Sequence, residues 1–238
     1  MEAIEVKDLR KVYGSTPAVA GVTFTVHAGE IFGIAGHNGA GKTTTVECLI
    51  GLRRPDGGQR AGAGGGPGAP APRRGAADRR ATPGERAAGA DEGGRGVAGV
   101  RRLLPRPPAD WRQVMERWGL GPLARQAYGD LSGGQKQRLM LALALVGDPE
   151  VVVLDELTTG LDPVARRETW RLVNDLRASG TTVVLVSHYF DETEALCDRL
   201  AILARGRVQA TGTPAEIMAA TGTGSLEEAY FALEGADR

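Results

Sequence analysis

Short apolar stretches with alternating polar positions fill the first 36 residues: "AIEVKDL", "GVTFTVHAGE" and "EIFGIAG". Their alternation, turn residues and β-branched content predict an antiparallel sheet feeding one central strand. A helix is expected from Lys42 to about Leu52. After a long interruption the pattern resumes at Ala109, with helices over "WRQVMERWGL" and "GGQKQRLMLALALVG" and a strand over "EVVVLDE". A helix over "PVARRETWRLVNDLRASG", ending at Gly180, leads into a strand over "TTVVLVSH". "RLAILAR" and "RVQATG" read as strands, and "PAEIMAAT" and "SLEEAYFALEG" as helices. Apolar strands alternating with amphipathic helices predict an α/β fold, a parallel sheet covered on both faces.

The interruption runs from Gln59 to Pro108, and 40 of these 50 residues are Gly, Ala, Pro or Arg. Such a composition buries little apolar area and is expected to be disordered or irregular. The chain as a whole has 238 residues, ample for a packed core. Charge is balanced at 29 basic and 29 acidic residues, so no bulk field favours nucleic acid or an anionic surface. Cys48 and Cys197 offer no disulfide framework or metal-ligand spacing and read as buried hydrophobes of a reducing cytosol. The opening "MEAIEVKDLRKVYG" is charged throughout, unlike a signal peptide. The longest apolar run, "LMLALALV", is less than half of a membrane span, so any membrane role is expected to come through a partner.

"GHNGAGKTT", from Gly36 to Thr44, matches the phosphate-binding pattern G-x-x-x-x-G-K-[ST], with an apolar strand before it and a helix after it. Gly36, Gly39 and Gly41 let backbone N–H groups turn inward around phosphate oxygens, between His37, Asn38 and Ala40. Lys42 is placed to reach the β- and γ-phosphates, and the Thr43 hydroxyl, beside Thr44, to ligate Mg²⁺. In "VVVLDE", Asp155 emerges at the carboxyl end of a buried strand, where it can hold the Mg²⁺ hydration shell. Glu156 follows it and can polarise an attacking water.

"LSGGQ", Leu131, Ser132, Gly133, Gly134 and Gln135, completes the set. With the phosphate loop, "VVVLDE", "GLD" and a strand-end His in this order, the chain resembles the nucleotide-binding subunits of ABC transporters over about four-fifths of its length. Ser132 to Gly134 open a helix, so hydroxyl and backbone donors point at an anion. The resemblance implies that this anion is the γ-phosphate of ATP held by the opposite protomer, a second copy or a related subunit. It also implies adenine stacking on Tyr13, γ-phosphate contact and water orientation by His188, and a link between the two sites through Asp162. His37, where the family often has proline, and Leu157, after "DE", are departures expected to touch loop backbone only. The C-terminal "GRVQATGTPAEI" and "SLEEAYFALEG" resemble the exporter branch, which serves drug and antibiotic efflux. The closing helix is expected to pack Leu226, Tyr230 and Phe231 on the core.

The resemblance implies a P-loop NTPase fold in one ATP-binding domain over 1–238. Its parts are an antiparallel β-subdomain with the phosphate loop (1–58), the anomalous segment (59–108), an incomplete helical subdomain with the signature (109–147) and the carboxylates, His188 and C-terminal part (148–238). The implied activity is ATP hydrolysis with Mg²⁺, driving solute export through an integral-membrane permease from the cytoplasmic face of the membrane. No nucleic-acid partner is expected. Two alternatives stay open: an ABC-type ATPase in a regulatory or nucleic-acid-remodelling role, and a defective family member. The second arises because the family's glutamine loop is not identifiable: Gln59 has no strand before it and Gln113 lies in a later helix. A chain so altered is expected to bind MgATP weakly and couple poorly.

The anomalous segment is either a true insertion or a stretch of gene read out of frame. An Arg/Gly nucleic-acid arm fits poorly, since acids are mixed with the bases and no aromatics interleave. Arginine outnumbers lysine 25 to 4, a mark of GC-rich DNA, in which a wrong frame yields mainly Gly, Ala, Arg and Pro. Read one base later, "QRAGAG" permits Ser-Val-Arg-Val-Leu-Gly and "ATPGERAAG" permits Gln-Leu-Gln-Glu-Ser-Ala-Leu-Pro. Codon usage and segment length favour the changed frame.

Overall fold

The structure, a computed structural model, describes residues 1–62, 78–81, 111–145 and 149–236. Two sheets organise it. Strands β1 (Glu2–Tyr13) and β2 (Thr16–His27) form an antiparallel pair, and β4 (Gly57–Gly62) joins the other edge of β1. The second sheet has the order β5-β6-β7-β3-β8-β9, built from β3 (Ile31–Ala35), β5 (Asp78–Ala81), β6 (Val151–Asp155), β7 (Thr182–Ser187), β8 (Arg199–Ala204) and β9 (Arg207–Gly212). Its strands run parallel except β9, which closes the edge as an antiparallel partner of β8.

Alternation along β3, β6 and β7 sends side chains into two different cores. Ile31, Val152, Leu154, Val183 and Leu185 meet α3 (Gly133–Leu145) and α4 (Pro163–Ala178). Phe32, Ile34, Val151, Val153, Val184 and Val186 meet the β1–β2 sheet and α1 (Lys42–Leu49). One face is thus covered by helices, and the other largely by the antiparallel sheet. Each fully buried side chain of this kind contributes about 1.5–3 kcal/mol. The run "LMLALAL", Leu139 to Leu145, ends α3 and is buried almost all round, with Leu139 and Leu141 no more than 1% exposed. Among the described residues, no helix is long and apolar enough to cross a membrane. Cys48 and Cys197 are free and buried, and burial pushes both thiols up.

Several expectations are corrected. Gln59, expected to have no strand before it, lies within β4, which begins at Gly57, and is in register with Lys7. β5 pairs in parallel with β6, so two parts of the anomalous segment are strands. Strand pairing uses backbone N–H and C=O groups, and a sheet edge offers these to any chain without proline. The rest of the expected irregular segment lies outside the described residues. Helix α1 stops at Leu49, leaving Leu52 exposed. Gln113 does fall in a helix, α2 (Trp111–Arg117). A short helix that the pattern did not predict, α5 (Phe190–Leu196), follows β7. Two helices close the chain, α6 (Pro214–Thr221) with a Thr213–Glu216 capping box, and α7 (Leu226–Ala236). Leu226 and Tyr230 are buried as expected, but Phe231 is 54% exposed.

Candidate active site

The phosphate loop turns between β3 and α1. Gly36 and Gly41 both take positive φ, and a Cβ at either would strike a carbonyl oxygen, of Leu203 and Ala18 respectively. The loop therefore lies directly against β2 and the end of β8, where only glycine fits. Gly41 caps α1 without any side-chain hydrogen bond, so the first N–H groups of the helix point outward for an anion. His37, Asn38, Gly39 and Thr43 are exposed, Thr44 is half-buried, and Ala40 is buried. Lys42 is buried, and its ammonium donates to the carbonyls of Gly36 (2.6 Å) and His37 (3.0 Å). Burial lowers its pKa, while the charges of Glu156 and Asp155 pull it back up.

Both carboxylates arrive at the end of β6. Asp155 is its last residue and is buried. Glu156 next adopts φ 50°, a left-handed conformation rare outside glycine, and its N–H donates to the Val186 carbonyl (2.9 Å). The turn aims its side chain at the end of neighbouring β7, where His188 Nδ1 lies 3.2 Å from Glu156 Oε1. Phosphate loop, Lys42, Asp155, Glu156 and His188 thus converge at the carboxyl ends of β3, β6 and β7, where open α/β sheets bind ligands.

The remaining candidates lie around this centre. Ser132 and Gln135 cap α3 reciprocally: Gln135 Oε1 accepts from Ser132 N (2.8 Å), and Ser132 Oγ accepts from Gln135 N (3.3 Å). Ser132 Oγ acts only as an acceptor in this cap, which leaves its proton for the anion it is expected to face. Leu131 is buried, and Gly133 and Gly134 pass close to Leu161 and Ala165 of the same chain. Asp162 caps α4, its Oδ1 accepting from Val164 and Ala165 N–H. Tyr13, at the end of β1, is 42% exposed, with the Arg53 guanidinium 5.1 Å above its ring and the Lys11 ammonium 5.9 Å away. Arg53 is in turn held by Glu47 at 2.7 Å.

Contacts around two motif residues had no local signal in the sequence. His37 does more than occupy the loop: its ring packs on Tyr230, Phe190 and Phe231. Tyr189 packs on His188 with ring centroids 4.1 Å apart, and the Arg166 guanidinium covers the Tyr189 ring at 4.7 Å. The aromatic pair after His188 was visible in "SHYF", but its partners lie on other elements.

Residues 19–159 match the family model described as ABC transporter. The chain is 38% identical to the daunorubicin/doxorubicin resistance ATP-binding protein DrrA of Streptomyces peucetius, with 94% of this chain and 69% of that protein covered. It is 37% identical to the Nod factor export ATP-binding protein I of Paraburkholderia xenovorans (strain LB400), over 91% of this chain and 73% of that one. A solved ATP-binding subunit of an ABC transporter superposes with a TM-score of 0.81 at 30% identity, covering 98% of this chain and 99% of its own. With its phosphate loop and strand-end carboxylates in one site, the chain belongs to the ABC transporter family as an ATP-hydrolysing, nucleotide-binding protein.

Proposed function

We propose that the chain hydrolyses ATP to drive a solute out of the cell through a separate integral-membrane permease, working as one of two nucleotide-binding subunits on the cytoplasmic face. The observation that carries the chemistry is the 3.2 Å approach of His188 to Glu156 beside a phosphate loop that buries Lys42. The names of the two relatives, one for drug resistance and one for Nod factor export, support the export direction.

In this reading the loop N–H groups and Lys42 hold the β- and γ-phosphates, and Tyr13 carries the adenine. Glu156 takes a proton from water as its oxygen bonds to the γ-phosphorus. The bond from phosphorus to the bridging oxygen breaks, and its electron pair leaves on ADP. His188 fixes the Glu156 carboxylate and faces the γ-phosphate. The exposed Thr43 hydroxyl and the Asp155 carboxylate form a hard oxygen donor set of the kind that suits Mg²⁺. Bound there, Mg²⁺ would offset negative charge on the phosphates. The signature from Leu131 to Gln135 and the Asp162 turn would face the second subunit.

The test is ATP-dependent solute uptake into inverted vesicles carrying this chain together with a candidate permease. Glu156→Gln is expected to slow turnover about a hundred- to ten-thousandfold and spare ATP binding. Equal hydrolysis by variant and parent would remove Glu156 from its role. ATP-dependent binding to ribosomes or DNA without vesicle transport would point to a regulatory function instead.

A further inference from the structure

A carboxylate that no motif contains sits directly behind the site. Glu192, on α5, is 1% exposed and accepts hydrogen bonds from three separate elements. Thr158 Oγ1 (2.8 Å) and Trp170 Nε1 (3.0 Å) donate to its Oε1, and Ser187 Oγ (2.7 Å) donates to its Oε2. Thr158 lies two residues after Glu156, in a turn where Thr159 N–H donates to the Glu156 carbonyl (3.2 Å). Ser187 immediately precedes His188, and its hydroxyl also accepts from Tyr189 N–H (3.0 Å), fixing the chain on both sides of His188. Trp170 belongs to α4, the helix that Asp162 caps. Thr158 and Ser187 are themselves buried at 1% exposure each.

Buried carboxylates contribute little net stability, because desolvation cancels most of what their hydrogen bonds return. What a fully satisfied one does supply is geometry, since each donor is held at a set distance and angle. Here the two oxygens of one carboxyl group hold the turn after Glu156 and the strand end before His188. We propose that Glu192 is a positioning residue for ATP hydrolysis, setting the approach of His188 to Glu156 through Ser187 and Thr158. The inference rests on the reading that Glu156 and His188 act in hydrolysis, and names a residue that reading does not use.

Glu192→Gln separates this role from simple packing. The Trp170 indole can only donate, so the amide oxygen is expected to stay with Trp170 and Thr158. The amide NH₂ then meets the Ser187 oxygen, which must accept from it as well as from Tyr189 N–H, so this bond reverses and the Ser187 proton loses its acceptor. The contact on the His188 side is therefore the one disturbed.

The experiment is single-turnover hydrolysis of MgATP with protein in excess, together with equilibrium binding of a non-hydrolysable ATP analogue. The parent, Glu192→Gln, Glu156→Gln and the double variant are compared. Misplacing a reacting group by up to about an ångström lowers rates roughly ten- to a hundredfold, so Glu192→Gln is expected to fall by that factor with analogue affinity within about twofold of the parent. In the Glu156→Gln background the same change is expected to cost nothing more, because the group being positioned is already gone. An equal loss in both backgrounds, or a parallel loss of binding, would reduce Glu192 to general packing and overturn the proposal. A Glu156-dependent rate that Glu192→Gln leaves intact would overturn the positioning role alone. A parent rate that does not depend on Glu156 would overturn the hydrolysis reading and this inference with it.

Discussion

His37 of the phosphate loop packs edge-on against Tyr230 of the C-terminal helix, with ring centroids 4.6 Å apart and planes at 66°. Phe190, at the start of the helix after His188, touches both rings. The loop, the segment after His188 and α7 therefore share one aromatic cluster. Such ring pairs are worth about 0.5–1.5 kcal/mol beyond their buried area. His37→Ala is expected to lower the melting temperature by roughly 2–4 °C per kcal/mol lost and to weaken MgATP binding. Unchanged melting and unchanged affinity together would show that the cluster does not brace the loop.

Lys42 should behave as a group held for its ligand rather than for the fold. Burial makes its pKa lower in the folded chain than in the unfolded one. For a cation shifted this way the penalty is full below the folded pKa and disappears as pH rises past the unfolded value. The buried ammonium is thus a burden that triphosphate oxygens would relieve in the proposed binding mode. Lys42→Met is expected to melt no lower than the parent without nucleotide. It is also expected to lose the stabilisation MgATP gives, about 2.7 kcal/mol at a hundredfold excess over Kd. A variant that melts lower yet still gains from MgATP would contradict this.

Tyr13 is 42% exposed at the end of β1, with the Arg53 guanidinium and the Lys11 ammonium over its ring. Removing the ring by Tyr13→Ala is expected to cost about 1–3 kcal/mol of ATP affinity, the range for base–aromatic stacking. Binding of inorganic tripolyphosphate, which has no base, should be unaffected. Loss of both affinities in equal measure would mean that Tyr13 supports the phosphate loop instead.

The strand β5 sets Asp78-Arg79-Arg80-Ala81 in register with Val151 to Leu154. Read one base later, codons for Asp78, Arg79 and Arg80 permit Ile-Gly-Val, a better strand for this position. The nucleotide sequence over codons 59–108 is expected to show an alternative frame carrying an apolar strand here, followed by glutamine. An uninterrupted frame with no such alternative would establish a true insertion.

What could be read from the sequence was local. The phosphate loop and the apolar runs ending in Asp155 and His188 are contiguous patterns, and the strands and helices around them formed as the pattern predicts. The pairing of Glu156 with His188 was not visible, because it spans 32 residues and follows from β6 and β7 lying side by side. The His37–Tyr230 contact joins the two ends of the chain for the same reason. β4 and β5 escaped because sheet edges recruit backbone, and backbone hydrogen bonding leaves no mark in composition. The short α5 escaped because Phe190, Glu192, Thr193 and Leu196 are all buried, so polar residues lie on the inward face where periodicity expects apolar ones.

The alternation along β6 makes that strand a measuring stick. Val151 and Val153 enter one core and Val152 and Leu154 the other, and only this count brings Asp155 and Glu156 out at the loop. One residue gained or lost within the strand would exchange its two sides. Both acids would then turn away from the nucleotide, although no residue near the phosphates had been altered. Three valines and one leucine that never meet ATP thus decide where its chemistry can happen.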